Sequence, residues 1–319
     1  MSTALEHFWA PFDQFLNEEG VTEICINQPG EVYVEKHRQF TGYKAPALTE
    51  EFLISLATLV AEYNHKEFPA PLLSGKLPNG ERIQFVFPPA CENSKVICSI
   101  RRHHMRSMTL NDYQSNDSFY GVQDNKSDTD IALRSLFLSG NYAYFLEQAI
   151  QYKKNIIISG GTGTGKTTFL NACLKCIPEH ERLITIEDTR ETELSHQNAV
   201  HLLFNENDKA LSADQLFRAS LRLRPDRIFL SELRGVEAWS YLRAINSGHP
   251  GSMTTVHADS PHGAFTQLVF MMQQAGFTFS EKQIREYIES IIDIVIQLKR
   301  DASNDKIMYI SDIYYADNP

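Results

Sequence analysis

The sequence predicts an α/β protein in which a domain built on a mostly parallel sheet follows a smaller mixed α/β domain. Residues 131–319 alternate short apolar runs with helical stretches, the pattern of a parallel sheet covered by helices. Residues 1–108 instead mix helical and alternating strand patterns. The segment 109–130 between them is rich in Asn, Asp and Ser, which predicts a flexible linker.

The N-terminal domain is expected to open with an amphipathic helix and a hairpin. Apolar residues from Leu5 to Leu16 recur at helical spacing, and Pro11 should interrupt the helix. A membrane-surface helix is the alternative, but few cations line the polar side, so we expect packing on the domain itself. The runs 21–27 and 31–36, joined through Pro29-Gly30, predict a hairpin. A helix over 50–63 and strands near 82–87 and 95–101 should follow.

The C-terminal domain is expected to begin with one helix over 131–151. Five apolar strands should follow it, over 155–159, 183–187, 227–231, 252–256 and 294–298.

Composition restricts the class of protein. The chain has 319 residues, of which 42% are hydrophobic and 22% charged, as in soluble globular proteins. No apolar stretch approaches the ~20 residues of a membrane span, and the acidic N-terminus does not resemble a signal peptide. We therefore expect a cytoplasmic protein. The net charge of −10 makes tight direct nucleic-acid binding unfavourable, since such affinity comes mainly from neutralised phosphates.

The cysteines do not indicate a disulfide framework, because their number is odd and they are scattered. They are Cys25, Cys91, Cys98, Cys173 and Cys176. The spacing of Cys173 and Cys176 suits a zinc site, but no second pair of ligands follows. We expect both to pack in a helix as small apolar residues.

One segment carries the strongest chemical signal. It matches G-x-x-x-x-G-K-[ST] directly after the strand 155–159, where a helix should begin. Its glycines let successive N–H groups point at phosphates, and the helix N-terminus adds positive charge. We expect ATP to bind here, with Lys166 on the β- and γ-phosphates and Thr167 on Mg²⁺. The binding residues are Gly160, Gly161, Thr162, Gly163, Thr164, Gly165, Lys166, Thr167 and Thr168.

Hydrolysis would require acids at neighbouring strand ends. The strand 227–231 ends in Glu232, as in a Walker B element, and the strand 183–187 ends in Glu187. In an open parallel sheet these ends line the ligand crevice. One carboxylate would hold Mg²⁺, through water, while the other polarises the attacking water. Glu232 is the first candidate for the activating base, and Glu187 the second. Glu232 is also expected, with Thr167, to hold Mg²⁺, in its case through water.

A histidine ends a further strand. The segment 247–251 has two glycines and a proline, and the following strand presents Thr255 and His257 at its end. His257 could sense the γ-phosphate by hydrogen bonding.

Together these elements resemble the VirB11-type secretion ATPases, within the wider family of type II secretion and type IV pilus motors. The segment 160–168 resembles the family's phosphate loop, and 184–194 its Asp box. Residues 221–239 are similar to its Walker B region, and 247–261 to its His box. The segments 21–35, 77–89 and 96–103 resemble its N-terminal domain, so the likeness covers nearly the whole chain. Five scattered cysteines provide no tetracysteine zinc module of the type II branch.

The resemblance implies a homohexameric ring with a RecA-like C-terminal domain, and ATP between the two domains of a subunit. It implies a peripheral position at the inner-membrane complex of a type IV secretion system, with other secretion ATPases and the coupling protein as partners. By matched position it assigns Arg82 and Arg101 to the nucleotide and Arg222 to the catalytic set. It also assigns Glu187, Glu232 and His257 to the Asp box, the Walker B acid and the His box. Ser231 stands where the family commonly has glycine, a small change that should do little damage.

Three functions follow from the same core. The first is a mechanical ATPase that powers secretion or conjugation. The second is a nucleic-acid translocase, which the net charge of −10 disfavours. The third is a ring that changes shape on binding nucleotide without turnover, which the set of Glu187, Glu232 and His257 disfavours.

Overall fold

Two sheets organise the chain. The computed structural model describes residues 2–102, 109–115, 128–301 and 308–316, with side chains from residue 8 onward. The first part comprises α1 (Ser2–Leu16), β1 (Val21–Ile26), β2 (Glu31–Lys36), β3 (Gln39–Lys44), α2 (Glu50–Tyr63), β4 (Leu72–Lys76), β5 (Arg82–Val86) and β6 (Ile97–Arg101). Its six strands pair in the order β3-β2-β1-β6-β5-β4, and every pairing is antiparallel.

The second part is a helix-covered sheet of seven strands. It comprises α3 (Leu110–Ser115), α4 (Asp128–Leu138), α5 (Tyr142–Gln151), β7 (Ile156–Gly160), α6 (Lys166–Leu174), β8 (Leu183–Glu187), β9 (Ala199–Leu203), α7 (Ala213–Ser220), β10 (Arg227–Leu230), α8 (Glu237–Asn246), β11 (Met253–Val256), α9 (Pro261–Gln274), α10 (Glu281–Glu289), β12 (Ile294–Lys299) and β13 (Tyr309–Tyr315). The order is β13-β12-β7-β11-β10-β8-β9. All neighbours run parallel except β12 and β13. The predicted fold class is confirmed.

Two predicted segments differ from the prediction in their secondary structure. The helix expected over 131–151 is two helices, α4 and α5, because Gly140 takes a left-handed turn with φ of 76°. The linker expected over 109–130 contains α3 and the start of α4. Thr109 and Asp112 cap α3 by hydrogen bonds in both directions. Residues 116–127 of that linker lie outside the described residues, and the domain boundary there stays a prediction.

The N-terminal helix continues through Pro11 rather than ending there. Phe12 and Leu16 are buried, and the Phe8 ring stacks on Phe52 of α2 with centroids 5.3 Å apart. The burial of this aromatic face offsets the cost of about 3 kcal/mol for an interior proline. The expectation that α1 packs on its own domain is confirmed. No helix among the described residues has the length and apolarity that a membrane span needs.

The two sheets share a packed interface. Apolar residues of the first sheet and its following loop, Val86, Ala90, Cys91 and Ile97, lie in the same core cluster as β8 and β9 residues. The Leu203 N–H donates to Ala90 O at 2.9 Å. These contacts fix the first sheet over the β8–β9 edge of the second.

A buried arginine crosses this interface. Arg182 is fully buried, and its Nη1 donates to Asn27 Oδ1 at 2.7 Å while its Nε donates to Leu223 O at 2.8 Å. Asn27 also donates to Asn198 at 3.1 Å. Because Asn27 follows β1 and Asn198 precedes β9, this polar network ties the two sheets together.

A buried ion pair at the start of β10 generates a stability prediction. Arg227 is fully buried and forks onto Glu181 through Nε at 2.7 Å and Nη2 at 2.8 Å. Removing one charge leaves the other buried and unpaired, which costs ~3–5 kcal/mol. Glu181→Gln should therefore lower the urea midpoint strongly. The exposed pair Lys282–Glu286 provides the control, and equal midpoints for Glu181→Gln and Glu286→Gln would contradict the prediction.

Candidate active site

The phosphate loop is shaped by its glycines. Gly165 is the N-cap of α6 and has a φ of 80°, a left-handed conformation that favours glycine. A Cβ on Gly160 would lie 2.5 Å from Thr164 Oγ1 and 2.9 Å from Leu298 O, so a side chain there would disrupt the loop. Thr164 Oγ1 donates to Gly161 O at 2.8 Å and closes the turn. The remaining loop residues Gly161, Thr162 and Gly163 are exposed, as is Thr168 on α6.

Three predicted residues meet at the carboxyl edge of the parallel sheet. Lys166 follows β7, His257 follows β11 and Glu232 follows β10, and these three strands are neighbours. Lys166 Nζ lies 3.4 Å from His257 Nδ1, and His257 Nε2 lies 2.9 Å from Glu232 Oε1. The Lys166 ammonium, the His257 imidazole and the Glu232 carboxylate therefore form a continuous series of side-chain contacts beside the phosphate loop.

The Lys166 ammonium is held close to the loop backbone. Its Nζ donates to Gly160 O at 2.9 Å and to Gly161 O at 3.1 Å. Burial lowers the pKa of Lys166, and the negative charge of Glu232 opposes that shift. The neighbouring carboxylate thus favours the charged form of Lys166 that phosphate binding needs.

Ser231 and Thr255 keep the two strand ends in register. Thr255 Oγ1 donates to Ser231 O at 2.8 Å, and the Ser231 N–H donates to Ile186 O at 3.0 Å. The hydroxymethyl of Ser231 is accommodated without displacing Glu232 from His257.

A further acid, Glu191, was missed by the sequence analysis. Thr167 Oγ1 donates to Glu191 Oε2 at 3.1 Å, and Asn171 Nδ2 donates to Glu191 O at 3.1 Å. The signal was available, because Glu191 lies four residues after Glu187 in the segment already singled out. A carboxylate at this distance from a strand end can fold back over the phosphate loop.

The oxygen donors of this edge suit Mg²⁺. Thr167 Oγ1 and Glu191 Oε2 are adjacent, and Glu232 supplies a second carboxylate. Mg²⁺ prefers such hard oxygen ligands and keeps several waters. Within the described ranges, no group of three or more His, Cys, Asp or Glu side chains forms a metal cage. Cys173 is buried in α6, as expected, whereas Cys176 is half-buried in the turn that follows α6, so the expectation that both pack in the helix is wrong for Cys176.

Glu187 occupies a different position from the one expected of a catalytic acid. It is fully buried, and its Oε2 accepts the N–H groups of Glu191 and Thr192, both at 2.8 Å. Its Oε1 accepts from the hydroxyls of Thr185 and Thr192. Burial raises the pKa of Glu187, but hydrogen bonds from His201, Thr192, Glu191 and Thr185 outweigh it and bring the pKa to about 2. Both oxygens therefore anchor the loop that carries Glu191.

Arg82, Arg101 and Arg222 lie apart from the phosphate loop of the same chain. All three line a cavity of about 590 Å³ that Arg224 and His249 also line. Arg222 and Arg224 precede β10, and His249 precedes β11, so the cavity opens at the amino edge of the sheet. The four residues of β10 alone place the two edges about 13 Å apart. The expectation that these arginines reach ATP within one subunit does not fit this placement.

The cavity is strongly cationic. Besides the three predicted arginines it is lined by Lys66, Lys76 and Arg224, and by the carboxylate of Glu23. Burial raises the pKa of Glu23 to about 7, opposed by the Ser99 hydrogen bond and the charge of Arg101. A cavity with this excess of cations is suited to an anion such as a phosphate.

The sequence matches a family described as Type II/IV secretion system protein over residues 10–312. It is 37% identical to the type IV secretion system protein VirB11 of Bartonella henselae, covering 96% of this chain and 91% of that protein. It is also 37% identical to the type IV secretion system protein PtlH of Bordetella pertussis, covering 95% and 92%.

A solved structure gives the same result. The chain superposes on the crystal structure of the VirB11 ATPase from the Brucella suis type IV secretion system in complex with sulphate. The TM-score is 0.93 at 36% identity, and the match covers 98% of this chain and 97% of the other. The seven-stranded sheet and its helices therefore form a RecA-like P-loop domain. The chain belongs to the VirB11 type of the type II/IV secretion ATPase family.

Proposed function

We propose that this protein hydrolyses ATP with Mg²⁺ and uses the energy to power type IV secretion or conjugation, by substrate translocation or pilus assembly. The chain of contacts from Lys166 through His257 to Glu232 carries the proposal, because it places a cation and a carboxylate beside the phosphate loop. The relatives named as type IV secretion proteins support the biological setting. They do not favour the alternative of a nucleic-acid translocase.

Each residue of this edge has a proposed role. Lys166 neutralises the β- and γ-phosphates, and His257 senses the γ-phosphate. Thr167 and Glu191 would hold Mg²⁺, which supplies charge neutralisation on the phosphate oxygens. Glu232 polarises the attacking water, since its Oε1 faces His257 and Lys166.

Glu187 is proposed as a support for Glu191. Its two oxygens are occupied by donors of the 187–192 segment and β8. This leaves Glu232 as the activating base and makes Glu187 a positioning residue.

The arginine cavity is proposed to serve the phosphate site of a neighbouring copy. Arg82, Arg101 and Arg222 lie at the amino edge, whereas Lys166 lies at the carboxyl edge. A ring of identical subunits is a head-to-tail arrangement, in which the cavity of one copy can face the loop of the next. We propose a homohexamer, and each ATP would then contact two subunits.

The proposed location is cytoplasmic, at the inner-membrane complex of the secretion system. Other secretion ATPases and the coupling protein are the proposed partners. The support is membership of a secretion family and the relatives' names.

Lys166→Ala tests the proposed activity. Loss of the ammonium leaves γ-phosphate charge without neutralisation in the transition state, so phosphate release should fall by ~100-fold or more. The measurement is steady-state phosphate release at saturating Mg²⁺-ATP, with Lys175→Ala, beyond the end of α6, as the control. Turnover of Lys166→Ala near the wild-type rate would overturn the proposed function.

Glu232→Gln and Glu187→Gln should fail in different ways. Glu232→Gln keeps the shape but removes the charge, so nucleotide should still bind while turnover is lost. Glu187→Gln replaces one acceptor oxygen by an NH₂ group, which faces the hydrogen-bond donors that surround Glu187. This variant should therefore destabilise the fold. Because the pKa of Glu187 is depressed when folded, its stabilisation is present above about pH 4 and is lost as pH falls towards 2.

Turnover, nucleotide affinity and urea midpoints at pH 7 and pH 3 separate the two acids. The stability deficit of Glu187→Gln should shrink at pH 3. A stable Glu187→Gln without turnover, together with an active Glu232→Gln, would reverse the assignment.

A further inference from the structure

Arg234 donates two hydrogen bonds to the carboxylate of Glu232, the Walker B acid. Its Nε donates to Glu232 Oε2 at 3.0 Å, and its Nη2 donates to the same oxygen at 2.9 Å. Arg234 lies two residues after Glu232 and was not among the residues predicted from the sequence. Both donors reach one oxygen, so Oε2 has its two lone pairs occupied.

The other oxygen of Glu232 faces the phosphate loop. Oε1 lies 2.9 Å from His257 Nε2, and His257 lies beside Lys166. A carboxylate oxygen has two lone pairs, so Oε1 has one left for a water. The fork on Oε2 thus determines which oxygen points towards the nucleotide.

Arg234 is itself held in place by other acids. Its Nη1 lies 3.1 Å from Glu206 Oε1 and 3.5 Å from Asp188 Oδ2. Its backbone N–H donates to Glu237 Oε1 at 2.6 Å, at the start of α8. The guanidinium is therefore fixed on both sides, although its side chain is 48% exposed.

We propose that Arg234 is a positioning residue that orients Glu232 for water activation, with Glu206 and Asp188 as its anchors. This inference rests on the proposed ATP hydrolysis and adds a residue to it. The terminal torsion of a glutamate is broad, so without the fork Glu232 rotates more freely and Oε1 leaves its position. Misplacement of a catalytic group by about 1 Å costs ~100-fold in rate.

If Arg234 only stabilised the fold, its removal would lower the unfolding midpoint together with the activity. The proposed positioning role predicts a loss of activity alone. The pairs of Arg234 with Glu206 and Asp188 are exposed, and exposed ion pairs contribute little to folding stability, so removal of Arg234 should leave the unfolding midpoint nearly unchanged. Arg234 also lacks a contact with Lys166 or Thr167 among the described residues, so nucleotide affinity should persist. The expected signature is a loss of kcat at nearly constant KM and constant stability.

The experiment compares Arg234→Gln and Arg234→Lys with the wild type. Arg234→Gln should lower kcat by ~10- to 100-fold, with KM for ATP and the affinity for a nonhydrolysable analogue within about two-fold. Arg234→Lys keeps the charge but cannot donate two hydrogen bonds from a planar group. Its kcat should therefore lie between that of the wild type and that of Arg234→Gln. Glu206→Gln, which removes one anchor, should lower kcat less than Arg234→Gln.

Arg218→Gln is the matched control, because Arg218 is an exposed arginine of α7 that pairs with Asp214 at 2.9 Å and has no contact with Glu232 among the described residues. The inference is overturned if Arg234→Gln and Arg218→Gln have equal kcat, if KM rises instead of kcat falling, or if the midpoint falls with the activity. An inactive wild type, or an active Lys166→Ala, would instead overturn the proposed function.

Discussion

The parallel alignment of β7, β11, β10 and β8 is the constraint on which the site depends. Parallel strands end at one edge, so residues from distant parts of the chain meet there. Lys166, His257 and Glu232 follow three adjacent strands, and Glu187 ends the fourth. A slip of one residue in β10 would turn Glu232 to the other face of the sheet and break its contact with His257.

Buried charges hold the irregular segments against this regular frame. Glu187 binds the N–H groups of the loop that carries Glu191 over Thr167. At the opposite edge, Arg182 joins the first sheet to the second. Each group is buried with several hydrogen bonds, which offset the cost of burying a charge, although Arg182 Nη2 has no hydrogen-bond partner among the described residues. The same chemistry therefore fixes the carboxyl edge of the parallel sheet and the arrangement of the two sheets.

The sequence predicted the fold class and the residues of the carboxyl edge, because periodic apolar strands and the phosphate loop are local signals. The strands β9 and β13 were not predicted, since both lie at sheet edges; β13 is largely exposed along its length. Glu191 lies in the segment already singled out for Glu187, but its contact with Thr167, like that of Arg234 with Glu232, is made by a loop that no periodic pattern encodes. The placement of Arg82 and Arg101 depends on how the two sheets pack, which no local pattern encodes.

Each chain is proposed to hold the phosphate loop of one ATP site and the arginines of another. The test is co-expression of Lys166→Ala with Arg101→Ala, followed by phosphate-release measurements on the purified mixed assembly. If the arginines act on a neighbouring copy, some interfaces in the mixed ring are intact. At these interfaces the phosphate loop comes from the Arg101→Ala variant and the arginines come from the Lys166→Ala variant. When the two variants mix at random in a ring, about a quarter of the interfaces are intact. Turnover per subunit should then recover to roughly a quarter of the wild-type value. A mixed assembly no more active than the two variants alone would show that the arginines do not act on a neighbouring copy.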